Sequence, residues 1–127
     1  MSSRKNFSTG AKWEDIVGYS RAVQMGNQLE ISGTVAVDDN GVVGRDNAYE
    51  QTKFVLQKID KVLQQAGFSL NDVVRTRIFV VDISRWEEIG QAHGEYFRNI
   101  KPATSMVQVS ALIDPEYLVE IEVTAIK

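Results

Sequence analysis

Two acids offer the first hint of chemistry. Glu120 and Glu122 stand two residues apart in Leu118-Val-Glu-Ile-Glu-Val-Thr-Ala-Ile, an alternation that puts both carboxylates on one face of a strand. Such a face is either washed by water or borders a cleft, where a carboxylate can take a proton or orient a water molecule. For Glu120 the competing readings are this catalytic one and half of a salt bridge. Arg75 and Arg77 share a face by the same alternation in Val73-Val-Arg-Thr-Arg-Ile-Phe-Val-Val. A cross-strand pair with Glu120 or Glu122 is the structural reading for them; an anchor for an anionic ligand is the functional reading for Arg77. The single histidine, His93, is either a packing residue or an acid–base group that titrates near neutrality. With no cysteine, disulfides, thiolate zinc sites and thiol catalysis are excluded, and one histidine does not build a metal site alone. Neither a metal nor a cofactor is expected.

These residues need elements to position them. Arg21-Ala-Val-Gln-Met and Gln28-Leu-Glu-Ile-Ser-Gly flank Gly26-Asn27, a pair that tolerates the positive φ of a tight hairpin turn, and Gly33 is expected to close the second strand. A further turn is read at Asn40-Gly41. Apolar residues at helical spacing from Ala48 to Ala66 predict an amphipathic helix, capped by Asp46 and ended by Gly67, with Lys53, Lys58 and Lys61 on its wet side. The β-branched run at residues 73–81 predicts a central strand with Val74, Thr76, Ile78 and Val80 facing the core. Ser84-Arg-Trp-Glu87 reads as a capping box for a second helix that ends near Asn99, with Trp86 in the core. Pro102 restarts an extended strand, and this strand and residues 118–126 are expected side by side. Residues 1–17 show no period and read as a loosely ordered arm.

The resulting β-β-α-β-α-β-β order predicts an α+β, two-layer domain spanning residues 1–127, with both helices on one face of the sheet. The other face would carry Arg75, Arg77, Gln108, Ser110, Glu120 and Glu122 with Phe79, Met106 and Leu118. A mixed face of this kind suits a subunit interface with clefts at its edges. The chain has 127 residues, 43% of them hydrophobic and 24% charged, with net charge −3, which fits one globular unit and makes nucleic acid an improbable partner. No run approaches the roughly 20 apolar residues of a membrane span and no secretory pattern is seen, so a cytoplasmic protein without membrane contact is expected.

Several segments, in order, resemble one known family. Gly18-Tyr19-Ser20-Arg-Ala-Val, Ile31-Ser32-Gly33, Asn71-Asp-Val-Val-Arg-Thr-Arg-Ile-Phe-Val, Pro102-Ala-Thr-Ser and Val119-Glu-Ile-Glu are similar to the motifs of the Rid (reactive intermediate deaminase) or YjgF family. That resemblance implies a chorismate-mutase-like fold and a homotrimer with three small-molecule clefts between subunits. It also implies hydrolysis of an imine or enamine, with Glu120 orienting water. The expected ligand-binding set is Tyr19, Ser32, Gly33, Thr34, Arg77, Gly90, His93, Thr104 and Met106, with Arg77 included as a substitute cation on the strand face of the glutamates and His93 standing where the family commonly has an aromatic residue. For Tyr19 and Ser32 the plainer readings are cover for the sheet edge and a strand terminus. The family's carboxylate-holding arginine falls at Thr104, and its helical asparagine at Gly90. A hydroxyl supplies neither the charge nor the fork of a guanidinium. Two functions therefore stand side by side: a deaminase-type hydrolase, and a non-catalytic ligand-binding or interaction module that has lost the clamp. The ribonuclease label carried by some members sits poorly with the net charge and the lone histidine.

Overall fold

The computed structural model describes residues 3–127. Its main sheet holds six strands in the order β1-β2-β3-β8-β6-β7, with β1 at Arg4–Phe7, β2 at Ala22–Met25, β3 at Gln28–Val35, β6 at Val73–Val80, β7 at Ala103–Gln108 and β8 at Val119–Ile126. A small hairpin, β4 (Val37–Asp38) and β5 (Gly41–Val42), turns at Asn40-Gly41. Helices α2 (Ala48–Gln65) and α3 (Trp86–Phe97) provide the second layer of this α+β fold, and α1 (Lys12–Val17) is a short helix between β1 and β2. Val55, Leu56, Ile59, Leu63, Ile89 and Phe97 from the helices meet Leu29, Ile78, Val119 and Ile121 from the sheet in one core. No helix among the described residues is long and apolar enough to cross a membrane.

Several expectations are corrected. The last two extended segments are not neighbours: β8 lies antiparallel between β3 and β6, and β7 runs parallel to β6 at the sheet edge. A parallel strand needs a crossover, and α3 supplies it. Residues 3–17 carry β1 and α1 instead of a loose arm, because β1 adds main-chain hydrogen bonds to β2 and Gly18 ends α1 in the left-handed region at φ 89°. Strand β3 runs through Gly33 to Val35 by way of an irregularity between Ile31 and Thr34. A similar shift between Val73 and Arg75 buries Val73 and leaves Val74 43% exposed, against the simple alternation. Trp86, expected in the core, is 54% exposed.

The helix starts also differ. Asn47 caps α2 by accepting the Glu50 amide at 3.0 Å, while Asp46 adopts a φ of 58° and binds Arg85. The Ser84 hydroxyl and amide are both taken by Asp82, at 2.6 and 3.0 Å, so they cap a 3-10 turn and not α3. The capping box of the chain is Ser69 with Asp72. Lys58 is drawn off the wet side of α2, where its Nζ donates to the carbonyls of Val35 and Val37 at 3.0 Å each.

Register decides which residues share the uncovered face. Arg75, Arg77 and Phe79 lie there with Glu120 and Glu122, as the alternation implies. Met106 and Gln108 do not, since they sit opposite Ile78 and Val80 and so point to the helix side, where Met106 packs on the core. Leu118 likewise packs against the core, and Ser110 lies beyond the end of β7.

The fully buried Gln51 fixes the approach to β8. Its amide donates to the Glu116 carbonyl at 2.9 Å and accepts the Leu118 amide at 2.8 Å, spanning from α2 to the turn before β8. Gln51→Ala strands both backbone groups. The expected loss is about 1–3 kcal/mol of unfolding free energy, read from the midpoint of urea denaturation at unchanged slope.

Candidate functional site

Glu120 lies in β8 beside Val35 of β3 and Phe79 of β6. Its carboxylate rests against Gly33 so closely that a Cβ at residue 33 would collide with it. A side chain at residue 33 would require the Glu120 carboxylate to move aside. No hydrogen bond among the described residues reaches this half-buried carboxylate. Burial first, and the like charge of Glu122 second, raise its pKa above the ordinary carboxylate value, against a smaller downward pull from Arg21.

Arg21 is the functional candidate that sequence reading missed. Its Nη2 donates to the Gly33 carbonyl at 2.9 Å, and its Nε is buried without a partner. It is thus the cation fixed at the glycine on which Glu120 rests. The hairpin register carried the signal: Ala22 faces Ile31, so residue 21 falls beside Ser32 and Gly33. The same corner gathers Ser32, whose hydroxyl donates to the Ser20 carbonyl at 2.6 Å, and Tyr19, 40% exposed, beside a polar hollow that Glu14 also lines. Thr9 donates to Glu14 through its amide and hydroxyl, and these hydrogen bonds hold the Glu14 pKa below its ordinary value.

The other predicted residues lie apart from this corner. Thr34 is buried, on the opposite side from Glu120, with its hydroxyl donating to Ser32 O at 2.9 Å. Arg77 pairs with Glu122 at 3.4 Å on the uncovered face, with both side chains well exposed. A Cβ at Gly90 would meet only open space. Thr104 and His93 face the helix side and line a groove of about 370 Å³ with Gly94, Phe97, Arg98, Lys101 and Pro102.

In that groove one chain of hydrogen bonds sets every proton. The Thr104 hydroxyl donates to the Pro102 carbonyl at 3.1 Å, so across the 2.8 Å contact Thr76 must donate to Thr104. The Thr76 proton is then spent, and His93 Nε2 must donate across its 3.0 Å contact with Thr76. This arrangement puts a proton on His93 Nε2, and burial of the ring lowers its pKa, favouring the neutral form. Its ring packs on Phe97 at 4.7 Å between centroids. Among the described residues, no group of three or more His, Asp or Glu side chains is arranged to hold a metal ion.

The fold and its two half-sites define a two-layer α+β protein with a desolvated carboxylate on one sheet face and a cation-rimmed groove on the other. The family model described as Endoribonuclease L-PSP matches residues 9–127. A structure from Mycobacterium tuberculosis, of a member of the highly conserved YjgF/YER057c/UK114 family, superposes with a TM-score of 0.89 at 47% identity, covering 98% of this chain and 100% of that one. A Rid family protein of unknown function from Yersinia pestis gives 0.85 at 32% identity, over 98% and 100% of the two chains. The 3-aminoacrylate deaminase RutC of Acinetobacter baylyi is 38% identical over 104 residues, 81% of this chain and 82% of that protein. The chain belongs to this L-PSP family, also known as Rid or YjgF.

The raised Glu120 pKa has a definite sign in stability. An acid whose folded pKa exceeds its unfolded one destabilises the fold when ionised, and the penalty fades as pH falls through the folded value. Glu120→Gln is therefore expected to raise the melting temperature at pH 7.5. Melting curves at decreasing pH should show the difference narrowing and closing only below about pH 4, where the unfolded glutamate, of pKa about 4.3, also holds the proton.

Proposed function

We propose that the protein is a homotrimer that binds a small metabolite in clefts between subunits and hydrolyses an imine or enamine to a carbonyl compound and ammonia. The observation that carries this reading is Glu120: a half-buried carboxylate of raised pKa, without a hydrogen-bond partner among the described residues, against a glycine held by Arg21. A structural ion pair would leave the carboxylate engaged. A water-orienting base needs it free.

In the proposed step Glu120 accepts a proton from water as the oxygen bonds to the C=N carbon. The C=N nitrogen takes up a proton from solvent as the carbinolamine forms; Glu120 then returns its proton to that nitrogen, the C–N bond breaks to release ammonia, and the hydroxyl gives its proton to solvent as the carbonyl forms. An enamine enters the same path after protonation at carbon. A carboxylate whose pKa burial raises above its ordinary value suits a group that must both take and return a proton. The position of the two half-sites supports a cleft between subunits. Glu120 and Gly33 sit on the uncovered side of the sheet, and Thr104 with His93 sits on the helix side of its β7 edge, so two copies are needed to bring them together. The similarity to a 3-aminoacrylate deaminase, named for an enamine acid, supports the same reaction class.

A second reading, a ligand-binding module without turnover, draws on Thr104. Its only hydroxyl proton is committed to Pro102, so it donates nothing to a bound acid.

Ammonia release from imines generated in solution tests the proposal. Glu120→Gln is expected to slow hydrolysis by about 10²–10⁴-fold, the usual share of a positioned proton-transfer group. Turnover equal to wild type in Glu120→Gln removes the assigned base, and ligand binding by a wild-type protein that releases no ammonia establishes the module.

A further inference from the structure

We propose that the groove along β7 takes the neutral N–H donor of a primary amide, accepted by His93 Nδ1 and Thr104 Oγ1, so that the substrate carries a carboxamide beside its C=N bond and not a free carboxylate. The inference deepens the hydrolase reading, on which it rests for the reaction, by naming the group through which the substrate is recognised.

Three elements meet at this edge. Thr76 of β6 is fully buried, Thr104 stands opposite it in the parallel register of β7, and His93 reaches them from α3. Their hydrogen bonds run one way: from His93 Nε2 to Thr76 at 3.0 Å, from Thr76 to Thr104 at 2.8 Å, and from Thr104 to the Pro102 carbonyl at 3.1 Å. The carbonyl at the end can only accept, and this fixes the direction of every bond before it.

What remains is acceptor capacity. A hydroxyl oxygen has two lone pairs, and Thr104 uses one of them on Thr76. An imidazole protonated on Nε2 carries a lone pair on Nδ1, and that atom makes no hydrogen bond among the described residues. Burial favours the neutral ring and so preserves this lone pair. Both side chains line the groove, and neither has a proton to give to a ligand there.

The lining then sorts the candidates by charge and by donors. A carboxylate brings further acceptors to two acceptors, and lone pairs that leave water without a proton between them lose hydrogen bonds that nothing replaces. Arg98 and Lys101 line the groove from exposed positions, where a charge open to water adds little to binding. The same two charges repel an ammonium or amidinium, so the donor is neutral. A primary carboxamide meets these conditions: its NH₂ group has two N–H bonds, one for each acceptor, and its carbonyl oxygen is left for the cationic side. Phe97 and Pro102 give apolar walls, and about 370 Å³ accommodates a compact molecule.

Titration calorimetry of the full-length chain with pyruvamide and with pyruvate, which differ only in NH₂ against O⁻, reads this site directly. Pyruvamide is expected to bind about tenfold more tightly. His93→Phe keeps an aromatic ring against Phe97 and removes Nδ1, while Thr104→Val keeps the shape of the side chain and removes its oxygen. Each is expected to weaken pyruvamide binding about tenfold and to leave pyruvate binding unchanged. Thr104→Val, at an exposed position on the edge strand, decides alone where His93→Phe does not fold. Pyruvate binding as tightly as pyruvamide overturns the site, and so does a wild-type protein that fails to bind pyruvamide at millimolar concentration. Pyruvamide affinity retained in either folded variant overturns it too. A parallel loss of both ligands has the same force, because a general disturbance of the groove acts on both. The hydrolase reading is tested apart from this one. Pyruvamide binding through Thr104 in a protein that hydrolyses no imine removes the hydrolase and keeps the amide site. Faster hydrolysis of a 2-imino acid than of its amide keeps the hydrolase and removes the amide site.

Discussion

The closeness of Glu120 to Gly33 is the constraint from which the rest of the site follows. A carboxylate pressed onto a neighbouring strand leaves no room for a side chain there, and the same packing removes part of its hydration. The fold tolerates an ionisable group under these conditions because Arg21 is anchored beside it on the Gly33 carbonyl. Behind the strand, Lys58 holds the carbonyls of Val35 and Val37, so the backbone under the acid is tied from the helix side as well. Gln51 sets where β8 begins and hence where Glu120 stands. Three polar side chains, two from α2 and one from the approach to β2, thus maintain the position of one acid.

Much of this was legible in the sequence, for reasons that mark where local rules suffice. The two main helices follow from their apolar periods, the β2–β3 hairpin from Gly26-Asn27, and the shared face of Arg77 and Glu122 from strict alternation. What the sequence hid depends on pairing between distant segments. The interposition of β8 between β3 and β6 is invisible to any local window. Alternation fails at Val74 because the strand shifts register there, and it misplaces Met106 and Gln108 because β7 takes its face from β6 rather than from β8. Arg21 escaped notice because it stands just before a strand, where the pattern of residue types says nothing about the glycine it will meet.

The two faces of the sheet carry contrasting electrostatics. On the uncovered side Arg77 pairs with Glu122, Arg75 donates to the neutral Ser105 hydroxyl at 2.8 Å, and Glu120 is left without a partner among the described residues. At the β7 edge the hydroxyl chain from His93 to Pro102 consumes its own protons and leaves two cations over. The edge that carries Thr104 therefore owes its charge to Arg98 and Lys101.

The strand order also bears on how the chain assembles. β1, β2 and β3 can pair as soon as residue 35 exists, and β6 can receive β7 once α3 has crossed over, but these two leaves share no hydrogen-bonded neighbour until β8 slides between them. The strand that carries Glu120 is the keystone of the sheet and follows both of its partner strands in the chain. Until it arrives, two open strand edges wait beside unburied apolar residues, a nascent form prone to joining its counterparts on neighbouring chains.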